Sequence, residues 1–167
     1  MLHVVFVCTG NAARSVMGGA VMAEVAPAMR VTTAGTHVIE GQPISWRTRD
    51  ALATIGLKAD THRSRQMREE DATTADVIVG FEAIHVGYVR RTHPEVAHKT
   101  ATLKYLVDHL APSGGTLEWR LHQLGLDAVV LERQEDVVDP AGGDVEDYRA
   151  CAAEVDHLVR ELLPRLT

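Results

Sequence analysis

The sequence predicts an α/β fold, a parallel sheet with helices on both faces, and three observations carry the prediction. Short β-branched runs, Val4-Val5-Phe6-Val7 and Val77-Ile78-Val79, alternate with segments of helical period, the order that right-handed crossovers require. Hydrophobic residues make up 46% of the chain and aromatic ones 4%, so the core is aliphatic, as in sheets buried on both sides. A length of 167 residues gives room for one sizeable core and not for two, so a single domain over 1–167 is expected.

The first strand leads through a loop of small residues into an Ala- and Met-rich helix that should end near Pro27. Arg30 to Ala34 reads as a second strand, turned by Gly35-Thr36. Ile44 to Ile55 reads as a helix with Gly56 at its C-cap, and Met67 to Thr74 as a short helix. Ala75 to Gly80 is the clearest internal strand and should lie beside the first. A helix over Glu82 to Arg91 must end before His93-Pro94, because the residue preceding proline avoids helical angles. Lys99 to Ala101 reads as a short edge strand and Thr102 to Leu110 as a helix, broken at Pro112-Ser113-Gly114-Gly115. Thr116 to Glu135 has helical spacing at Leu117, Leu121 and Leu124, while Val129-Val130-Leu131 fits a strand or a helix end equally. Asp136 to Gly143 is a loop. The last helix, with Asp144 as its N-cap, carries one apolar stripe through Val145, Tyr148, Cys151, Val155 and Leu162.

The chemistry concentrates in the first loop, Cys8-Thr9-Gly10-Asn11-Ala12-Ala13-Arg14-Ser15. A small-residue loop between strand and helix can aim successive backbone N–H groups at one point, and the helix dipole adds positive potential, so these residues form a phosphate cradle. Cys8 opens the cradle, where the same dipoles favour its thiolate, and that makes it a candidate nucleophile. Arg14 offers a planar fork matching two phosphate oxygens, and Ser15 can donate its hydroxyl to the sulfur. Gly10 and Asn11 are the residues that most readily take left-handed backbone angles. The arrangement requires no metal and no cofactor. Cys151 lies on the apolar stripe of the last helix and reads as a core thiol.

Attack at phosphorus must expel an alkoxide or phenoxide, which leaves slowly without a proton donor. Asp139 is the candidate acid, because Pro140 and Gly142-Gly143 would hold it on a defined turn. The net charge of -6, with no Lys/Arg run, argues against nucleic acid as a partner. The N-terminal apolar run is too short for export or membrane spanning, and two distant cysteines form no disulfide framework, so a reducing cytoplasm is expected.

Together these residues resemble the low-molecular-weight protein tyrosine phosphatases along nearly the whole chain. Cys8, Gly10, Asn11, Arg14 and Ser15 match the family's Cys-x-Gly-Asn-x-x-Arg-Ser loop. Thr33-Ala34-Gly35-Thr36, His62 with Arg65-Gln66, and Asp139-Pro140 match three further segments in order. The resemblance implies a four-stranded parallel sheet and a role for each residue. Cys8 would form a phosphocysteine, Arg14 grip the phosphoryl oxygens, Ser15 stabilise the thiolate, Asn11 brace the loop with His62, and Asp139 protonate the leaving group. It implies a phosphotyrosine protein or small aryl phosphate as substrate, and a phosphate or sulfate ion as ligand of the loop.

Two departures stand out. Ala13 replaces a second cysteine found in many relatives, so over-oxidation of Cys8 should be less reversible. Ala141-Gly142 and Val38 to Glu40 stand where relatives carry aromatic walls, which weakens the case for tyrosine. Trp46 is near in sequence and reads equally well as a helix anchor. Two other readings compete: an arsenate reductase on the same scaffold using an external thiol, and a phosphate- or phosphopeptide-binding module that has lost catalysis.

Overall fold

The computed structural model describes residues 1–167. Strand β1 (His3–Cys8) is followed by α1 (Arg14–Val25), β2 (Arg30–Gly35), α2 (Trp46–Thr54) and α3 (Glu69–Thr74). Next come β3 (Val77–Gly80), α4 (Ala83–Thr92), a 3-10 helix (Pro94–Lys99), β4 (Thr100–Thr102) and α5 (Leu103–His109). The chain closes with α6 (Leu117–Gln123), a 3-10 turn (Arg133–Glu135) and α7 (Val145–Leu166). The four strands form one parallel sheet in the order β2-β1-β3-β4, with Cys8 opposite Gly35 in the register.

Strand β1 is central and all six of its residues are buried. Its side chains alternate between two cores, as a two-residue period requires. Val4, Phe6 and Cys8 join the larger cluster with α1, α5 and α7, whereas Val5 and Val7 join Ala72, Ile78 and Val89 on the opposite side. Sheet and α1 approach closely because Gly18 and Gly19 present no side chain. A Cβ on Gly18 would lie 2.9 Å from Phe81, and one on Gly19 2.4 Å from the Thr33 methyl. This packing fixes the point at which the loop between β1 and α1 leaves the sheet.

The short helix expected from Met67 starts two residues later. Gly35 N–H donates to the Arg65 carbonyl at 3.0 Å and Met67 N–H to the Gly35 carbonyl at 2.9 Å, so Met67 still extends the sheet edge. Val129 to Leu131 form neither strand nor helix. The segment around them is fastened instead by two guanidinium groups, one buried and one half-buried. Arg120, 4% exposed, donates to the carbonyls of Ala111, Gly115 and Arg165, and Arg90 to those of Leu126 and Val129. Leu121 and Leu126 then enter the larger core.

Candidate active site

The loop from Cys8 to Arg14 stands at the carboxyl end of β1, the edge where parallel sheets bind ligands. Helix α1 has Ala13 as its N-cap, makes no side-chain cap hydrogen bond and has no acid in its first turn. Its leading N–H groups are therefore left to an outside acceptor, and the dipole favours an anionic one. Asn11 is the one non-glycine residue with positive φ, at 51°. That left-handed step turns the chain, and the Asn11 side chain secures it: Oδ1 accepts from Arg65 N–H at 3.0 Å, and Nδ2 donates to Thr33 Oγ1 at 3.1 Å and to Ser15 Oγ at 2.9 Å.

The last of these bonds orients the nucleophile's partner. Ser15 Oγ, which accepts from Asn11, lies 3.0 Å from the Cys8 sulfur in a buried setting, placed to donate its proton to a thiolate there. Two of the loop carbonyls are held by side chains from outside it. Asn11 O accepts from His62 Nε2 at 2.7 Å and from Ser64 Oγ at 3.0 Å, and Ala12 O accepts from Thr48 Oγ1 at 3.0 Å. Burial lowers the pKa of His62, an effect its bond to Asn11 partly offsets. Arg65, which meets the Asn11 side chain, is in turn gripped at both carboxylate oxygens of Asp71, each at 2.9 Å.

Arg14 is 2% exposed and its two terminal nitrogens do different work. Nη1 donates to Glu82 Oε2 at 2.7 Å and to the Val137 carbonyl at 2.9 Å. On the Nε–Nη2 edge, the fork that matches two oxyanion oxygens, the one protein partner is Asp139 Oδ2 at 3.3 Å. Asp139 also accepts from Ala141 N–H at 3.0 Å, which folds its turn over the cleft. The cleft measures about 310 Å³, and Cys8, Arg14, Ser45, Thr48, Asp139 and Tyr148 all line it.

The fold thus brings together Cys8, Thr9, Gly10, Asn11, Ala12, Ala13, Arg14, Ser15, His62 and Asp139. Sequence reasoning missed Glu82 and His85, which follow β3 and were read simply as helix. Their signal was position, since both come directly after a strand at the ligand-binding edge. It also missed Tyr148, an aromatic on α7 that lines the cleft although the expected wall positions hold small residues. Trp46 is neither wall nor core anchor: it is 55% exposed, with the Arg47 guanidinium 4.7 Å above its ring. Cys151 is a core thiol, buried among α7's apolar residues, and burial pushes its pKa up to about 12. A disulfide relay within the chain therefore has no reactive second thiol.

The family model for low molecular weight phosphotyrosine protein phosphatase matches residues 3–116. A protein-arginine-phosphatase of Geobacillus stearothermophilus is 30% identical over 165 residues, 98% of this chain and 95% of its own length. Low molecular weight protein-tyrosine phosphatase A of Mycobacterium tuberculosis is 32% identical over 174 residues, covering 99% and 89%. The crystal structure of a low molecular weight protein tyrosine phosphatase from T. tengcongensis matches with a TM-score of 0.79 and 28% identity over 98% of each chain. With the Cys8 loop, the buried thiol and the opposed Asp139 carboxylate on one face of such a fold, this chain belongs to the low molecular weight phosphotyrosine protein phosphatase family.

Proposed function

We propose that the protein hydrolyses phosphomonoesters through a phosphocysteine on Cys8, with phosphotyrosine in proteins as its substrate class and small aryl phosphates as simpler substrates. The observation that carries this reading is the Cys8 sulfur 3.0 Å from an oriented Ser15 hydroxyl, beneath the uncapped end of α1. The phosphoryl oxygens bind the loop N–H groups and the open fork of Arg14. Cys8 sulfur attacks phosphorus, the P–O bond to the leaving group breaks, and Asp139 delivers the proton that oxygen needs. Asp139 then takes a proton from water as the water attacks phosphorus, the S–P bond breaks and inorganic phosphate leaves. Arg14 and the amides neutralise the charge, so no step calls for a metal. A working thiolate suits a reducing cytoplasmic compartment, and no helix is long and apolar enough to cross a membrane.

A second reading, phosphoarginine as substrate, is favoured by the cleft walls. Ala12, Ala13 and Ala141 line the cleft, leaving Tyr148 as the aromatic side chain against a leaving group. The relative from Geobacillus stearothermophilus bears the name protein-arginine-phosphatase. Steady-state rates on phosphotyrosine and phosphoarginine peptides, with EDTA present, separate the two. Turnover of phosphotyrosine that Cys8→Ser abolishes, with phosphate binding retained, is expected. Faster turnover of phosphoarginine would select the second reading, and tight oxyanion binding without turnover of either would make the protein a binding module.

A further inference from the structure

Hydroxyl protons at this site are aimed by fixed donors, and the device occurs twice. On one side Asn11 Nδ2 engages Ser15 Oγ, which leaves the Ser15 proton free to meet a Cys8 thiolate 3.0 Å away. On the other side His85, 1% exposed, meets Thr9 Oγ1 through Nε2 at 2.9 Å. Geometry fixes the tautomer of His85. Nδ1 accepts from two backbone N–H groups, Phe81 at 3.2 Å and Glu82 at 3.0 Å, so the ring proton is on Nε2. The ring is neutral: burial, helped by the Arg14 charge, lowers its pKa to about 3. Glu82 Oε2 is farther from Nε2, at 3.6 Å, and is held by Arg14 at 2.7 Å. Nε2–H therefore donates to Thr9, and the Thr9 proton must point away from His85. Thr9 lines the same cleft as Cys8 and Arg14, and its hydroxyl meets no other side chain or carbonyl.

We propose that the Thr9 hydroxyl donates a hydrogen bond to the phosphoryl group in the cradle, and that His85 is the positioning residue that aims it. The proposal rests on the phosphatase reading for the identity of the bound group. Its physical basis is that a hydroxyl with its lone pair already engaged loses little rotational freedom when it donates, and a bond to a charged acceptor is worth more than a neutral one.

Binding of inorganic phosphate to the full chain, measured by calorimetry at neutral pH, tests it without requiring turnover. Thr9→Val is expected to weaken phosphate binding about tenfold, the loss of one hydrogen bond to a charged group, while thermal unfolding is little changed. Thr9→Ser should restore the affinity. His85→Asn keeps an acceptor near the Phe81 and Glu82 amides but is too short to reach Thr9, so it should lose a similar factor. The double variant should then be no weaker than Thr9→Val alone. Wild-type affinity in Thr9→Val, or losses that multiply in the double variant, would overturn the proposal. If His85→Asn does not fold, nitrogen-15 NMR of His85 in the wild-type protein decides: protonation at Nε2 supports the aiming, and protonation at Nδ1 refutes it. Unchanged phosphate binding in Thr9→Val alongside normal turnover sinks this inference alone. Loss of binding in Thr9→Val in a protein without turnover sinks the phosphatase reading alone.

Discussion

Arg14 holds three partners at once, and their division decides what its substitution does. Glu82 and the Val137 carbonyl fix one nitrogen, which leaves the opposite edge to face the cleft. Lysine at this position would keep a charge beside Glu82 and lose the fork, so Arg14→Lys is expected to lower kcat by about two orders of magnitude in steady-state assays, as for a missing oxyanion donor. A loss below threefold would show that the fork does not hold the phosphoryl group. In the proposed reaction Asp139 serves a different step. Asp139→Asn should slow poor leaving groups, such as alkyl or unactivated phenyl esters, far more than p-nitrophenolate, which leaves without a proton. Equal losses across that series would reduce Asp139 to a structural partner of Arg14. Cys8, Arg14 and Ser15 were legible in the sequence because they lie within one short loop whose spacing is local. Glu82 and His85 were not, because only the register of β1 beside β3 brings them to that loop.

At the scale of elements, the loop keeps its shape because β2 ends in a residue without a side chain. A Cβ on Gly35 would stand 2.5 Å from the Thr9 carbonyl oxygen and 3.0 Å from Asn11 N, both backbone atoms of the cradle. Gly35→Ala is therefore expected to destabilise the fold by about 1–3 kcal/mol in urea unfolding and to weaken phosphate binding with it. Gly10→Ala is the contrasting case: a Cβ there meets nothing within 4 Å, so its unfolding free energy should change little. The loop that carries Asp139 is fastened just before its turn. Asp136 Oδ1 accepts from Ala83 N–H at 2.7 Å, and Val137 N–H donates to the Phe81 carbonyl at 2.7 Å. Beyond that clamp the turn has open space on both sides, since Asp139 and Ala141 line the cleft over Cys8 and also a cleft of about 430 Å³ toward α7. The strands and the long helices could be read from two-residue and helical periods. In the stretch 112–135 the spacing of Leu117, Leu121 and Leu124 gave α6, but the irregular run through Val129 to Leu131 could not be read, because an arginine bond to a distant carbonyl secures it rather than a repeating apolar pattern.

For the whole molecule, buried neutral histidines tie stability to pH. Burial lowers the pKa of His85 to about 3 in the folded chain, against about 6.5 when unfolded, and lowers that of His3 as well. The unfolded state then binds more protons below pH 6.5, so folding free energy is undiminished above that value and falls as pH drops toward 3. His85 alone should remove about 1.4 kcal/mol per pH unit over this window. Urea unfolding from pH 7 to pH 4 should show the decline, and His85→Asn should flatten it; a flat wild-type profile would mean that the ring charges without cost. The fold class was readable from the alternation of strand and helix, and the anion loop at Cys8 was readable from its residues in spite of a net charge of -6. Transfer of phosphate through sulfur at that loop would leave a covalent trace. Acid quenching the wild-type protein during turnover of an aryl phosphate in EDTA, followed by mass spectrometry of its peptides, reads that trace. One acid-stable phosphoryl group on the peptide containing Cys8, absent in Cys8→Ser, is the expected result, and steady turnover with that peptide unmodified, or undiminished in Cys8→Ser, would contradict it.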